Sequence, residues 1–222
     1  MKTITLITLF VGALAFITSA YASVSGNLGV TTDYIWRGAS QSDGISVSGG
    51  LDYAGEGFYA GVWMGTTGSQ TVAAAGTDGS ASDIAGSVDS VPTTSTTGGA
   101  DSTGLETNLY IGTDINGFDV GVIQYSYSDG AGSDATEAYI GYSVAGFDLA
   151  YAQDLDDSDL DFFSVSYGLP TLIEGVSSAL TYGDTGDDDY LQLDVSYNDL
   201  TITFVDNDGP ETLVAVSYGW AL

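Results

Sequence analysis

The sequence predicts an all-β chain, an antiparallel up-and-down transmembrane β-barrel of about twelve strands. Three observations carry that expectation. Bulky apolar residues alternate with small or polar ones at a period of two, the period of a strand whose side chains point to opposite faces. The connections are by turns tight and long, as in barrels that cross a membrane. Finally, the acidic residues well inside the periodic segments fall only on the parity of small residues.

The first 22 residues stand apart. In "MKTITLITLFVGALAFITSAYA", Lys2 is followed by an apolar run from Ile4 to Ile17, and Ala20-Tyr21-Ala22 fits a small-x-small cleavage rule. That run is short for a helical span of roughly 20 residues. Residues 1–22 are therefore expected to be a cleaved signal peptide, the alternative being a retained anchor, and 23–222 a single barrel domain. Cleavage removes Lys2 and leaves Arg37 as the one basic side chain against thirty Asp and Glu.

The candidate strands run over 24–36, 45–53, 58–66, 105–115, 118–127, 135–144, 147–153, 161–169, 176–183, 190–197, 200–205 and 212–222. In the last, "TLVAVSYGWAL", Val214, Val216, Tyr218, Trp220 and Leu222 share one face and Ala215, Ser217, Gly219 and Ala221 the other. Segments 161–169 and 190–197 repeat the arrangement. Segment 58–66 carries large residues on both parities, and 118–127 is expected to switch face near Ile123, as a bulge would cause. "AGEG", Asn116-Gly117, Ala145-Gly146, "PTLIEG" and Asn198-Asp199 are turn chemistry. Between them lie longer acidic connections around 38–44, 67–104, 128–134, 154–160, 184–189 and 206–211.

Charge placement sets the orientation. Asp33, Asp52, Glu106, Glu137 and Asp194 are the acids well inside predicted strands, all on the small-polar parity. A charge facing hydrocarbon is costly, so that parity should face a hydrated lumen and the bulky parity lipid. These five acids and Arg37 are the candidate pore-lining or mouth residues. Tyr34, Trp36, Tyr53, Tyr197, Tyr218 and Trp220, with Tyr127, are expected to form interfacial aromatic girdles. A soluble barrel with the apolar face inward is the rival, but its outer face would ordinarily carry Lys, Glu and Gln rather than Ser, Gly, Ala and Thr.

Composition excludes several functions. The chain has no histidine and no cysteine. The usual general base, zinc ligand and nucleophile pairs are thus missing, and no disulfide can form. An enzyme is not expected, nor any cofactor. Thirty acids disfavour nucleic acid as a partner.

"DYIWRGASQSDG" (33–44) and "GFYAGVW" (57–63) resemble the N-terminal signature of the TorF family of porin-like proteins, over about the first 65 residues. The resemblance implies a proteobacterial outer-membrane channel. This chain departs from the family in its scarcity of Lys and Arg, its 67–104 insertion and its terminal Leu222.

For Arg37 two readings stand. It follows a strand whose Val30, Thr32, Tyr34 and Trp36 share the outward parity, so it projects inward at the outer mouth beside an interfacial Trp36. In one reading it is a fixed cation that offsets the acidic lumen and helps define a binding point. Alternatively it bridges a lumenal carboxylate such as Asp33 or Asp52 in bidentate fashion and locks the first loop. The acidic loops suggest calcium, which takes about six to eight oxygens. However, Asp206-Asn207-Asp208-Gly209 is only a fragment of a binding loop, so Asp206 and Asp208 are weak metal candidates.

The function expected is passive diffusion of small, preferentially cationic or neutral solutes across the outer membrane of a Gram-negative bacterium. The alternatives are a non-conducting surface or adhesive barrel and a soluble secreted one. Expected partners are outer-membrane lipid, the barrel assembly machinery through the C-terminal strand, and further copies of the chain.

Overall fold

A computed structural model describes residues 22–42, 44–68, 104–128, 132–157, 161–186, 188–207 and 212–222. Residues 1–21 of the predicted signal peptide, nearly all of the 67–104 connection, Asp43 and Asp208 lie outside them. The strands are β1 (Ser23–Thr31), β2 (Ile35–Trp36), β3 (Ala39–Ser40), β4 (Ser46–Gly55), β5 (Phe58–Thr67), β6 (Gly104–Ile115) and β7 (Phe118–Tyr127). They continue with β8 (Ala135–Val144), β9 (Phe147–Asp154), β10 (Asp161–Gly168), β11 (Val176–Asp184), β12 (Asp189–Tyr197), β13 (Leu200–Asn207) and β14 (Leu213–Ala221). β1 and β4–β14 each pair antiparallel with their chain neighbours, and β1 also pairs with β14, so twelve strands close a barrel without a free edge. Closure satisfies every ladder hydrogen bond within the sheet, the condition for crossing hydrocarbon.

Tight turns gather at one rim. Asn116-Gly117 (φ 56° and 86°) and Ala145-Gly146 (φ 52° and 87°) take the paired left-handed conformation of two-residue hairpin turns. The start of β1 and the end of β14 lie at this rim too, since Ser23 pairs with Ala54 and Asn27 with Ala221. The strand ends that flank the longer acidic connections lie at the other rim.

The registers settle which face is which. Leu193 lies opposite Leu180 and Phe204, and Ile202 opposite Val195 and Val216. All belong to the bulky parity. Val214 is 50% exposed, whereas Asp194 on the other parity is 3% exposed. The apolar belt is thus on the outside and the small-polar parity lines the interior, the reverse of a soluble barrel. Outward aromatic pairs ring the tight-turn end: Tyr53 with Phe58, Phe118 with Tyr142, Phe147 with Tyr167, and Tyr218 with Trp220, at ring-centroid distances of 4.6–5.3 Å. Tyr197, also outward and exposed, joins them beside the 198–199 turn.

Three expectations are corrected. The first strand stops at Thr31 instead of running to residue 36. Tyr34 and Trp36 are not girdle residues: the chain turns into the barrel, where Tyr34 is buried and Trp36 packs toward the inward Tyr125. Tyr127 likewise lies on the inward parity of β7. No bulge interrupts β7 at Ile123, because its register runs unbroken against both β6 and β8. The large residues on both parities there reflect rings pointing inward.

Those rings divide the interior. On the β5–β8 wall Tyr59, Trp63, Tyr110, Tyr125 and Tyr139 point inward, while the β9–β14 wall carries mostly Ser, Thr, Ala and Gly. Inward glycines make room for the rings. A Cβ on Gly112 would sit 2.3 Å from the Tyr59 hydroxyl, and one on Gly61 equally close to that of Tyr110. Aromatic rings laid across strand glycines are a known way of restoring cover to a glycine-rich sheet. Gly112→Leu is therefore expected to destabilise the barrel by about 1–3 kcal/mol through overpacking. Urea unfolding in micelles measures this, and an unchanged midpoint would contradict the inward packing.

Candidate functional site

The connection between β1 and β4 builds the site. At Thr31 the chain is still held to the wall, and the Thr32 amide donates to the Val216 carbonyl at 3.0 Å. The Thr31 hydroxyl then donates to the Asp33 carbonyl at 2.7 Å, and the backbone turns into the lumen. There β2 and β3 pair in a small hairpin, Ile35 with Ser40 and Trp36 with Ala39. Arg37 (φ 47°) and Gly38 (φ 82°) form its tip. These are the two left-handed positions of a type I′ turn, ordinarily occupied by Asn-Gly. Gly38 is required by contact as well as by φ, since a Cβ there would lie 2.6 Å from the Tyr190 ring.

The hairpin spans the barrel as a strap. Its root is between β1 and β4, yet its tip meets the far wall. The Arg37 guanidinium donates through Nη1 and Nη2 to the two carboxylate oxygens of Glu137 on β8, at 2.6 and 2.7 Å. Its Cζ stands 4.1 Å from the ring centroid of Phe162 on β10 and 5.2 Å from that of Trp36. The Tyr125 hydroxyl, from β7, donates to Glu137 Oε2 at 3.2 Å. Asn207 of β13 donates to the Gly38 carbonyl at 2.6 Å. Ile35 packs against a buried cluster of Ala152, Phe162, Tyr190 and Val205. On the near side Tyr34 tilts against Trp63 at 5.5 Å and donates to Glu106.

The bidentate bridge foreseen for Arg37 forms, but with Glu137 instead of Asp33 or Asp52. Asp33 lies in the turn after β1, not within a strand, and accepts from Ser40 and Ser42 inside the strap. Asp52, on the inward face of β4, accepts from the Tyr110 hydroxyl and from Asn27. Glu106 is 1% exposed, bonded by Asn108 at 2.7 Å. Asp194 accepts from Thr203 and Gln192 at 2.6 and 2.8 Å. Glu106 and Asp194 are therefore not hydrated lumenal charges, as had been expected; neutral donors from neighbouring strands take the place of water.

Sequence reasoning missed Asp119, which accepts from Tyr59, itself 2.5 Å from the Tyr139 hydroxyl. It also missed the receptor residues Phe162, Tyr125 and Tyr190. The available signal was a large aromatic on an otherwise small parity, as in "DFFSVSY" and "DDYLQLD". Asp206 lies on the outward parity of β13, one residue before its end, and among the described residues no group of three or more Asp or Glu could hold a metal ion.

Exposure inside the barrel follows the strap. Toward the long-connection rim the inward Ser46, Thr67, Asn108, Phe162, Ser164 and Val205 are buried. Toward the tight-turn rim the inward Ser25, Ser143 and Asp148 are exposed. The interior is thus covered by the strap at one end and exposed in part at the other, where the inward Tyr59 and Ser196 are nonetheless buried.

No curated protein matches the sequence. Among solved structures, a triple mutant of the Rhodopseudomonas blastica porin is similar with a TM-score of 0.35 and 11% identity, over 90% of this chain and 99% of that one. A chain described as "Asymmetric conductivity of engineered proteins" gives 0.36 and 12%, over 90% of this chain and 100% of that one. The family model that matches, over residues 16–209 and so across both stretches that resemble TorF porins, is Gcw_chp. That range is most of the chain, and the protein belongs to Gcw_chp, a family described as bacterial proteins of unknown function.

Proposed function

We propose that the protein is an outer-membrane channel for passive diffusion of small cationic or neutral solutes, at rest with its outer half closed by the strap of residues 32–42. The single observation that carries this reading is the hydrogen-bonded barrel with its apolar belt outside and its polar parity inside. The belt fits outer-membrane lipid. β14, aromatic-rich and pairing with β1 at the closure, is the segment offered to the assembly machinery. Acidic connections at the mouth raise the local concentration of cations and repel anions. Association of several copies belongs to the same reading, with no contact surface specified.

Purified protein in planar bilayers under a potassium chloride gradient tests it. The reversal potential should carry the sign of potassium preference; chloride preference would refute the selectivity. The strap itself favours a second reading, a surface barrel that displays acidic connections without conducting. Replacing 33–41 by a short glycine linker separates the two. A channel gains conductance on losing the strap, whereas a purely structural barrel stays silent with and without it.

A further inference from the structure

The strap tip is held as a ligand is held. Its guanidinium is clamped edge-on by a carboxylate in the two-pronged geometry that planar, forked cations favour over ammonium. One face lies over the Phe162 ring at 4.1 Å, a cation–π contact. The groups that do the holding all belong to barrel strands: Glu137 on β8, Tyr125 on β7, Phe162 on β10 and Tyr190 on β12. Their positions are set by the sheet, not by the strap.

What they hold is less firmly built. Arg37 is a non-glycine residue in the left-handed region, at φ 47°. Its Nε–H is buried without an acceptor among the described residues. The hairpin behind it has two ladder pairs, extended by a hydrogen bond from the Gln41 amide to the Tyr34 carbonyl at 2.6 Å, and a hairpin this short is marginal alone. A rigid receptor therefore holds a strained, incompletely bonded guest on a short tether.

We infer that Glu137, Phe162, Tyr125 and Tyr190 form a binding site for small organic cations bearing a guanidinium or amidinium group, a site that Arg37 occupies in cis. Free cations of this class compete with Arg37, and their binding releases the strap. The tether gives Arg37 a high local concentration, so the free ligand must be abundant to displace it. The acidic connections at this rim help supply it. The inference deepens the channel reading by naming a solute class and an opening step, yet the binding itself does not require conduction.

The probe is methylguanidinium chloride, compared at equal ionic strength with sodium chloride. Arg37→Gly empties the site and suits the left-handed backbone there. At about ten times its dissociation constant, methylguanidinium should raise the thermal midpoint of this variant by about 4 °C over sodium chloride. Adding Glu137→Gln should abolish that rise. If Arg37→Gly gains nothing beyond the sodium control, or gains equally with Glu137→Gln, the site is refuted. A second measurement leaves Arg37 in place, so that it does not depend on how the variant folds. A spin label at Ala39→Cys, exposed on the hairpin, should gain mobility as methylguanidinium is titrated. An unchanged spectrum up to 100-fold the concentration that saturates Arg37→Gly, or up to about 100 mM if that variant does not fold, rejects cis occupancy. A protein that shows both responses but never conducts would refute the channel and leave this site standing.

Discussion

Leu193→Arg is expected to lower barrel stability by about 2–4 kcal/mol, or to stop insertion altogether. Leu193 points outward in the middle of β12, opposite Leu180 and Phe204. A guanidinium there meets hydrocarbon, with no acid on the outward positions beside it. Ser177→Arg is the internal comparison. It lies on neighbouring β11, points inward opposite Ser196, and is partly exposed. Its cost should stay below about 1 kcal/mol. Unfolding in urea from lipid vesicles measures both. Equal costs would mean that the two faces do not differ in environment.

Glu137→Ala is the second large effect. Removing the carboxylate leaves the Arg37 guanidinium buried, with a side chain only 16% exposed, and without its partner. Breaking a buried pair from one side costs about 3–5 kcal/mol. The strap can withdraw toward the mouth instead of bearing that cost, so about 3 kcal/mol is expected, accompanied by loss of order in 33–41. Arg37→Ala should cost less, since Glu137 keeps the Tyr125 hydroxyl. The double variant should recover part of the loss, giving a coupling energy of about 1–3 kcal/mol. Additive single effects would show that the bridge contributes nothing to closure.

The barrel was legible because a membrane imposes one rule on every strand. An outward residue must be apolar, so "YLQLDVSY" and "LVAVSYGW" betray both period and face, and hairpin pairs such as Asn116-Gly117 mark the turns. The strap obeys no such rule. Alternation runs from Leu28 to Tyr34 and fails only at Ile35, too late in the pattern to distinguish a wall strand from a hairpin folded inside. The discriminating signal was Arg37-Gly38, a turn dipeptide with arginine where asparagine is usual, read instead as the end of a strand. Tyrosine was ambiguous for a chemical reason. Its ring suits an interface and its hydroxyl suits a buried carboxylate, so Tyr53 and Tyr59 look alike in sequence although they face opposite ways. The partner of Arg37 could not be read at all, because 100 residues separate it from Glu137.

The orientation of β12 tests the whole account most directly, and a chain without cysteine lends itself to it. Single cysteines carrying spin labels at Leu191, Gln192, Leu193, Asp194, Val195 and Ser196, in protein reconstituted in lipid, report whether each position meets oxygen dissolved in hydrocarbon. High oxygen collision rates are expected at 191, 193 and 195 and low ones at 192, 194 and 196. Rates that do not alternate, or alternate in the opposite sense, would contradict a barrel with its bulky parity in the bilayer.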